Sequence, residues 1–249
     1  MLNLRCIISV VALGATLGSG CELAEVFGDL DNPRTLVNVS TTHHATALQG
    51  VFPDKGGDGE IREFDTDMGW SIMLVRAYFT TADVTLVGCD GESTALDMYH
   101  GPLVEDLTAR DLEMLTVGGI EVKATEFCAM QVHYGPYPHT SSTDGLDPRI
   151  GGATFYLEGA AVRGDVVIPF EIRSEASFDA ELDLSSIDAG RPLSVEGGED
   201  FPVELALSKT YDRLFDGLDF ETATADDLAQ QVGAVLALES RVGLNTVAP

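Results

Sequence analysis

Positive charge is scarce in this chain: 14 Lys and Arg stand against 41 Asp and Glu, a formal net charge of −27. A field of that sign repels phosphate backbones and anionic lipid surfaces. It excludes nucleic acid as a partner and rules out a basic patch as the route to a membrane. Long apolar runs are also missing, and no stretch offers the roughly 20 apolar residues that a membrane-spanning helix needs. Catalytic signatures are absent too: the chain has no GxSxG elbow, no HExxH, no Gly-Lys-Ser/Thr phosphate loop and no dinucleotide fingerprint. Acidic pairs such as Asp226 with Asp227 or Glu199 with Asp200 are abundant, and among 41 carboxylates a pair carries no weight as glycosidase chemistry.

What is present begins at the N-terminus. Arg5 precedes the apolar run Cys6 to Leu13, and the small residues Gly14, Ala15, Thr16, Gly18, Ser19 and Gly20 follow. Charged, apolar and small residues in that order make residues 1–20 a secretory signal peptide. The segment ends Leu17-Gly18-Ser19-Gly20-Cys21 and resembles the lipobox of bacterial lipoproteins. In that family the cysteine is acylated and the chain is cut before it. The resemblance covers residues 1–21 alone, and Leu17 stands four places before the cysteine where the family has Leu three before. Ordinary signal cleavage is the alternative. If the resemblance holds, Cys21 carries the lipid, and two or three acyl chains give stable attachment where one chain is marginal. Glu22 to Pro33 then reads as a tether, and residues 34–249 as one β-rich domain.

Cysteine is sparse, four in all. Cys6 leaves with the signal and Cys21 is consumed by lipid, so Cys89 and Cys128 remain. In an oxidising compartment the pair reads as one disulfide. Closing a loop of about 40 residues contributes on the order of 4 kcal/mol by the chain-entropy estimate.

The rest reads as mainly β: an antiparallel sandwich or barrel-like domain closed by a C-terminal α-helix over about 225–241. Arg34 to Thr41 alternates as a strand. Around Trp70 to Phe79 both parities are apolar, which suits a strand buried on both faces. Leu103, Leu107, Leu112 and Leu115 fit a short helix or a long loop. Ile120 to Val132 keeps one apolar parity and reads as a single strand carrying Cys128 inward. Ala153–Ala161, Asp165–Arg173, Ser177–Leu184 and Phe201–Leu207 alternate in turn, with turn residues between them. Leu228, Val232, Val235 and Leu236 then recur at helical spacing, with Thr224 and Asp227 as a cap and Gly243 as a stop.

Candidate sites are few. His43 and His44 are adjacent on extended chain, so they point to opposite faces and read as exposed polar residues. Asp54 to Asp65 has part of a calcium-loop pattern but lacks a ligand at its third position, and it reads as a glycine-rich turn. His133 and His139 flank a proline-stiffened aromatic stretch, and His100 follows Cys89, so the three together form a candidate copper or zinc site. Tyr134 and Tyr137 form a candidate recognition loop for a protein or glycan, because rigid aromatics supply contact area at low entropic cost.

The expectation is therefore an exported, non-enzymatic, lipid-anchored cell-envelope protein. Its β-domain binds a partner or serves structure, needs no cofactor, and meets the membrane through lipid. A periplasmic or surface copper or zinc protein using the histidines is the first alternative, with calcium behind it. A carboxylate-dependent hydrolase is the second.

Overall fold

The computed structural model describes residues 33–52, 61–139, 146–199 and 201–245. In chain order the strands are β1 (Thr35–His44), β2 (Arg62–Asp65), β3 (Ser71–Gly88), β4 (Ser93–Ala95), β5 (Asp97–Met98), β6 (Leu103–Asp106) and β7 (Leu115–Val122). Then come β8 (Thr125–Tyr134), β9 (Phe155–Arg163), β10 (Val166–Ser174), β11 (Phe178–Asp183), β12 (Leu193–Val195), β13 (Val203–Thr210), helix α1 (Ala225–Glu239) and β14 (Ser240–Leu244). One sheet has the order β14-β13-β1-β7-β5, and the other runs β10-β9-β3-β8-β11 with β2, β4, β6 and β12 paired at its margins. The result is a mainly antiparallel sandwich rather than a closed barrel.

The second sheet is built on β3, 18 residues long. Its first half pairs with β9 and β2, its second half with β8 and β4, and register shifts at Leu74/Arg76 and Thr81/Asp83 let it turn between the two sets. Its mixed parity follows from this. Ile72, Leu74, Ala77, Phe79, Val84 and Leu86 are buried against one core that takes Val37 and Val39 from the facing sheet.

Three expectations change on contact with the fold. Ile120 to Val132 is two strands in different sheets, because the chain crosses over at Lys123 and Ala124. A two-residue crossing preserves parity, so the apolar alternation runs on across it. The Leu103 region is strand, with β6 pairing Leu103–Asp106 to Tyr78–Thr81. Gly243 does not end the chain's order but lies within β14, which pairs antiparallel with β13. One pairing breaks the antiparallel rule: β1 and β13 run parallel from Val37/Val203 to His44/Thr210.

Helix α1 begins as its sequence dictates. Thr224 accepts from the Asp227 backbone N–H while Asp227 accepts from the Thr224 N–H, a reciprocal capping box. Leu228, Val232, Val235 and Leu236 face inward, and Gly233 lies over the Phe178 ring. Cys89 and Cys128 are bonded, with Cα atoms 4.9 Å apart, which ties the end of β3 to β8 within one sheet.

Candidate functional site

The densest chemistry in the described residues lies between the sheets. On β1 the inward parity of Val37 and Val39 continues into Thr41 and His43, and on β13 that of Leu205 and Leu207 continues into Lys209. The parallel register sets His43 beside Lys209. From the other sheet β6 turns Glu105 inward, opposite Phe79, and β2 turns in Arg62 alongside Phe64. Asp111, from the loop after β6, and Tyr211, just past β13, complete the group.

Every member finds another. Lys209 Nζ lies 2.5 Å from Glu105 Oε2 and also donates to the Thr41 hydroxyl. Thr41 Oγ1 in turn donates to Glu105 at 3.0 Å. Arg62 donates from Nε to the Leu107 carbonyl at 3.1 Å and from Nη2 to that of Ala109, and its Nη1 stands 3.1 Å from Asp111. The guanidinium carbon sits 4.9 Å above the Tyr211 ring, whose hydroxyl donates to Asp111 at 3.0 Å. His43 places Nδ1 2.9 Å from Glu105 Oε1 and Nε2 3.2 Å from the Ala109 carbonyl. Both facing atoms only accept hydrogen bonds.

The centre is dry. Side-chain exposures are 1% for Lys209, Glu105 and Arg62, 2% for Asp111 and 3% for His43. Burial pushes the Glu105 carboxyl up, but Lys209 and His43 more than reverse that and hold it at about 2. Burial pulls the Lys209 ammonium down, and Glu105 outweighs it so that Lys209 stays above the ordinary lysine range. Burial also raises the Tyr211 phenol, with Arg62 opposing and Asp111 adding. The Glu105 and Asp111 carboxylates thus face the Lys209 ammonium and the Arg62 guanidinium, all buried among the described residues.

A second ionic group lies open on the surface. Arg149 holds Asp147 at 2.7 Å and Glu158 at 2.9 Å, while Arg76 reaches the same Glu158 at 2.8 Å and Asp147 at 3.2 Å. Tyr156 donates to Glu158 at 3.0 Å. Arg149's hydrogen bonds hold the Asp147 carboxyl below its ordinary range.

The histidines expected to converge do not. His100 is exposed in the turn after β5; His133 lies on β8 in the other sheet, 2.7 Å from Asp179; and the exposed His139 ring covers Gly152. Among the described residues no three His, Cys, Asp or Glu side chains form a group able to hold a metal. Tyr134 and Tyr137 are not a recognition surface either. Tyr134 is fully buried and donates toward Ser240 at 2.8 Å, and Tyr137 packs with Ile150, Ala153 and Tyr156. Tyr134 sits on the inward parity at the end of β8, whereas Tyr137, three residues past it, is held by backbone hydrogen bonds to Ala153 and Gly152 and buried in a separate small cluster. His43, expected outside, is a member of the sealed centre, whereas His44 points the other way and meets the Phe52 ring at 4.4 Å. Cys21 and most of the Asp54–Asp65 stretch fall outside the described residues.

No protein-family model matches the chain, and no curated protein matches it. Among solved structures it is similar to MbnP from Methylosinus trichosporium, at 10% identity and a TM-score of 0.35, over 86% of this chain and 99% of that one. A likeness of that size says nothing of what this chain binds.

Proposed function

We propose that this chain is an exported, lipid-anchored cell-envelope protein whose sandwich is a binding or structural module. The observation that carries the reading is the sealing of the ionic centre. The residues that elsewhere serve as acids, bases and nucleophile partners are here consumed by one another at the junction of two sheets, which is the work of a scaffold. The signal-like residues 1–20, Cys21 behind them and the bonded pair Cys89–Cys128 support an oxidising compartment outside the cytoplasm. The large negative charge leaves lipid, rather than a basic patch, as the means of attachment.

Intact mass and elemental analysis, on protein taken from its native membrane fraction without chelators, test this. The expected mass begins at an acylated Cys21 and includes one disulfide, and Cys21→Ser releases the protein from the membrane fraction. Unmodified Cys21 in a soluble protein overturns the anchor. Stoichiometric copper or zinc, lost on replacing His100, His133 or His139, overturns the metal-free module.

A further inference from the structure

The pole of the sandwich remote from Thr35 carries an apolar surface that is exposed among the described residues. β1 enters at Thr35, and its 10 residues carry it about 33 Å to His44. Just beyond, Leu48 and Val51 exchange backbone hydrogen bonds of 2.8 and 3.0 Å around Gln49 and Gly50, both at positive φ, in a tight hairpin. The hairpin holds its large side chains outward: Leu48 is 68% exposed and Val51 69%, with Phe52 beside them at 41%. Leu48 and Val51 on a stiff turn, with Phe52 half-covered by the His44 ring, are exposed apolar contact area among the described residues.

Next to the hairpin is a cleft of about 370 Å³, lined by Thr46, Leu48, Asp65, Asp67, Arg213 and the two aspartates Asp212 and Asp216 among others. Its walls are fastened to one another. Thr46 donates to Asp212 at 3.0 Å, Gly217 N–H donates to Asp67 at 2.6 Å, and the Asp67 N–H donates to Asp216 at 3.2 Å. Among the described lining residues Arg213 is cationic; it donates to the Thr46 hydroxyl at 3.2 Å and stands 3.6 Å from Asp216. Burial pushes the Asp216 carboxyl up, while the hydrogen bond from the Asp67 backbone and the Arg213 guanidinium pull it down.

We infer that this pole is a docking site for a protein segment in which Lys or Arg is flanked by apolar side chains. The cation enters among Asp65, Asp67, Asp212 and Asp216, and its apolar neighbours cover Leu48, Val51 and Phe52. Complementarity selects that occupant. A bare metal ion leaves the hairpin uncovered, a second copy of this chain brings the same negative charge, and an anionic lipid surface is repelled. The placement deepens the envelope-module reading and rests on it for the compartment in which such a segment is met.

The test uses the full mature chain carrying Cys21→Ser, which works whether or not the anchor is real. The probes are two photo-crosslinking peptides, one alternating Lys with Leu and one alternating Glu with Leu. The lysine peptide is expected to bind and to crosslink within 46–52 and 212–216, and the glutamate peptide is not. Leu48→Ser with Val51→Ser, and separately Asp67→Asn with Asp216→Asn, each weaken binding by roughly tenfold or more. Asp165→Asn with Asp226→Asn, equal in charge and elsewhere on the surface, leaves it unchanged. The hairpin variant alters only exposed side chains, so it stays informative if the aspartate variant fails to fold. Crosslinks scattered over the surface, or equal weakening by both aspartate pairs, overturn the proposal in favour of unspecific attraction. Calcium displacing the peptide with no effect of the hairpin variant reduces the pole to a cation site. Dimerisation through the hairpin makes a second copy the occupant.

Discussion

Two groups of paired charges lie in this molecule, and they differ in almost nothing but water. Lys209, Glu105, Arg62, Asp111 and His43 are shut between the sheets, while Arg76, Asp147, Arg149 and Glu158 make bonds of similar length at the surface. Side-chain exposure is at most 3% in the first group, against 38% for Arg76 and 33% for Glu158 in the second. Geometry alone therefore does not rank them. A buried charge left without its partner keeps the full desolvation cost, whereas an exposed one is rehydrated. The sealed group makes the two sheets depend on each other, because β1 and β13 supply part of it and β2 and β6 the rest.

The comparison breaks most visibly at Lys209. Lys209→Met strands Glu105 between the sheets, and a loss of about 3–5 kcal/mol is expected in chemical denaturation. His43→Phe removes the ring nitrogens that face the Glu105 carboxylate and the Ala109 carbonyl, which stay buried, with an expected loss of roughly 1–3 kcal/mol in the same assay. Acid sharpens the contrast. Glu105 is held at about 2, below its ordinary value, so its contribution is complete above the ordinary carboxylate range and is lost as pH falls from there towards about 2. Melting temperature in the wild type is expected to fall across that window, with a shallower slope in Glu105→Gln. Lys209, raised, keeps its contribution at all lower pH and loses it only above the ordinary lysine range. The smallest effect belongs to the open group: Arg76→Ala is expected to cost about 0.2–1 kcal/mol, and less in high salt.

Much of the frame was legible in the chain. Alternation marks β9, β10, β11 and β13, helical spacing with the Thr224–Asp227 cap marks α1, and cysteine arithmetic pairs Cys89 with Cys128. Sheet membership was not legible, because parity survives the crossover at Lys123 and Ala124 and does not say that β7 and β8 part company. The sealed centre left a trace that was open to reading. Lys209 occupies the next inward place after the apolar Leu205 and Leu207, and His43 follows Val37, Val39 and Thr41 on the inward parity of its strand. A charge on the core parity of one strand calls for an opposite charge on another. Which strand supplies it depends on pairing across 104 residues for Lys209 and Glu105, and local pattern holds no record of that. The histidine cluster failed for the converse reason. His100, His133 and His139 are near one another along the chain or near the disulfide, yet they lie on different strands and loops facing different ways.

Double-mutant cycles in both groups test the contrast most directly, with Glu105→Leu and Lys209→Met in the sealed one and Glu158→Ala and Arg76→Ala in the open one. A Glu105–Lys209 coupling several times larger than that of Arg76–Glu158 is expected, with the sealed double variant recovering much of what each single change loses. Equal couplings, or a sealed double variant no better than its singles, would contradict the account of the centre as a scaffold that locks the two sheets.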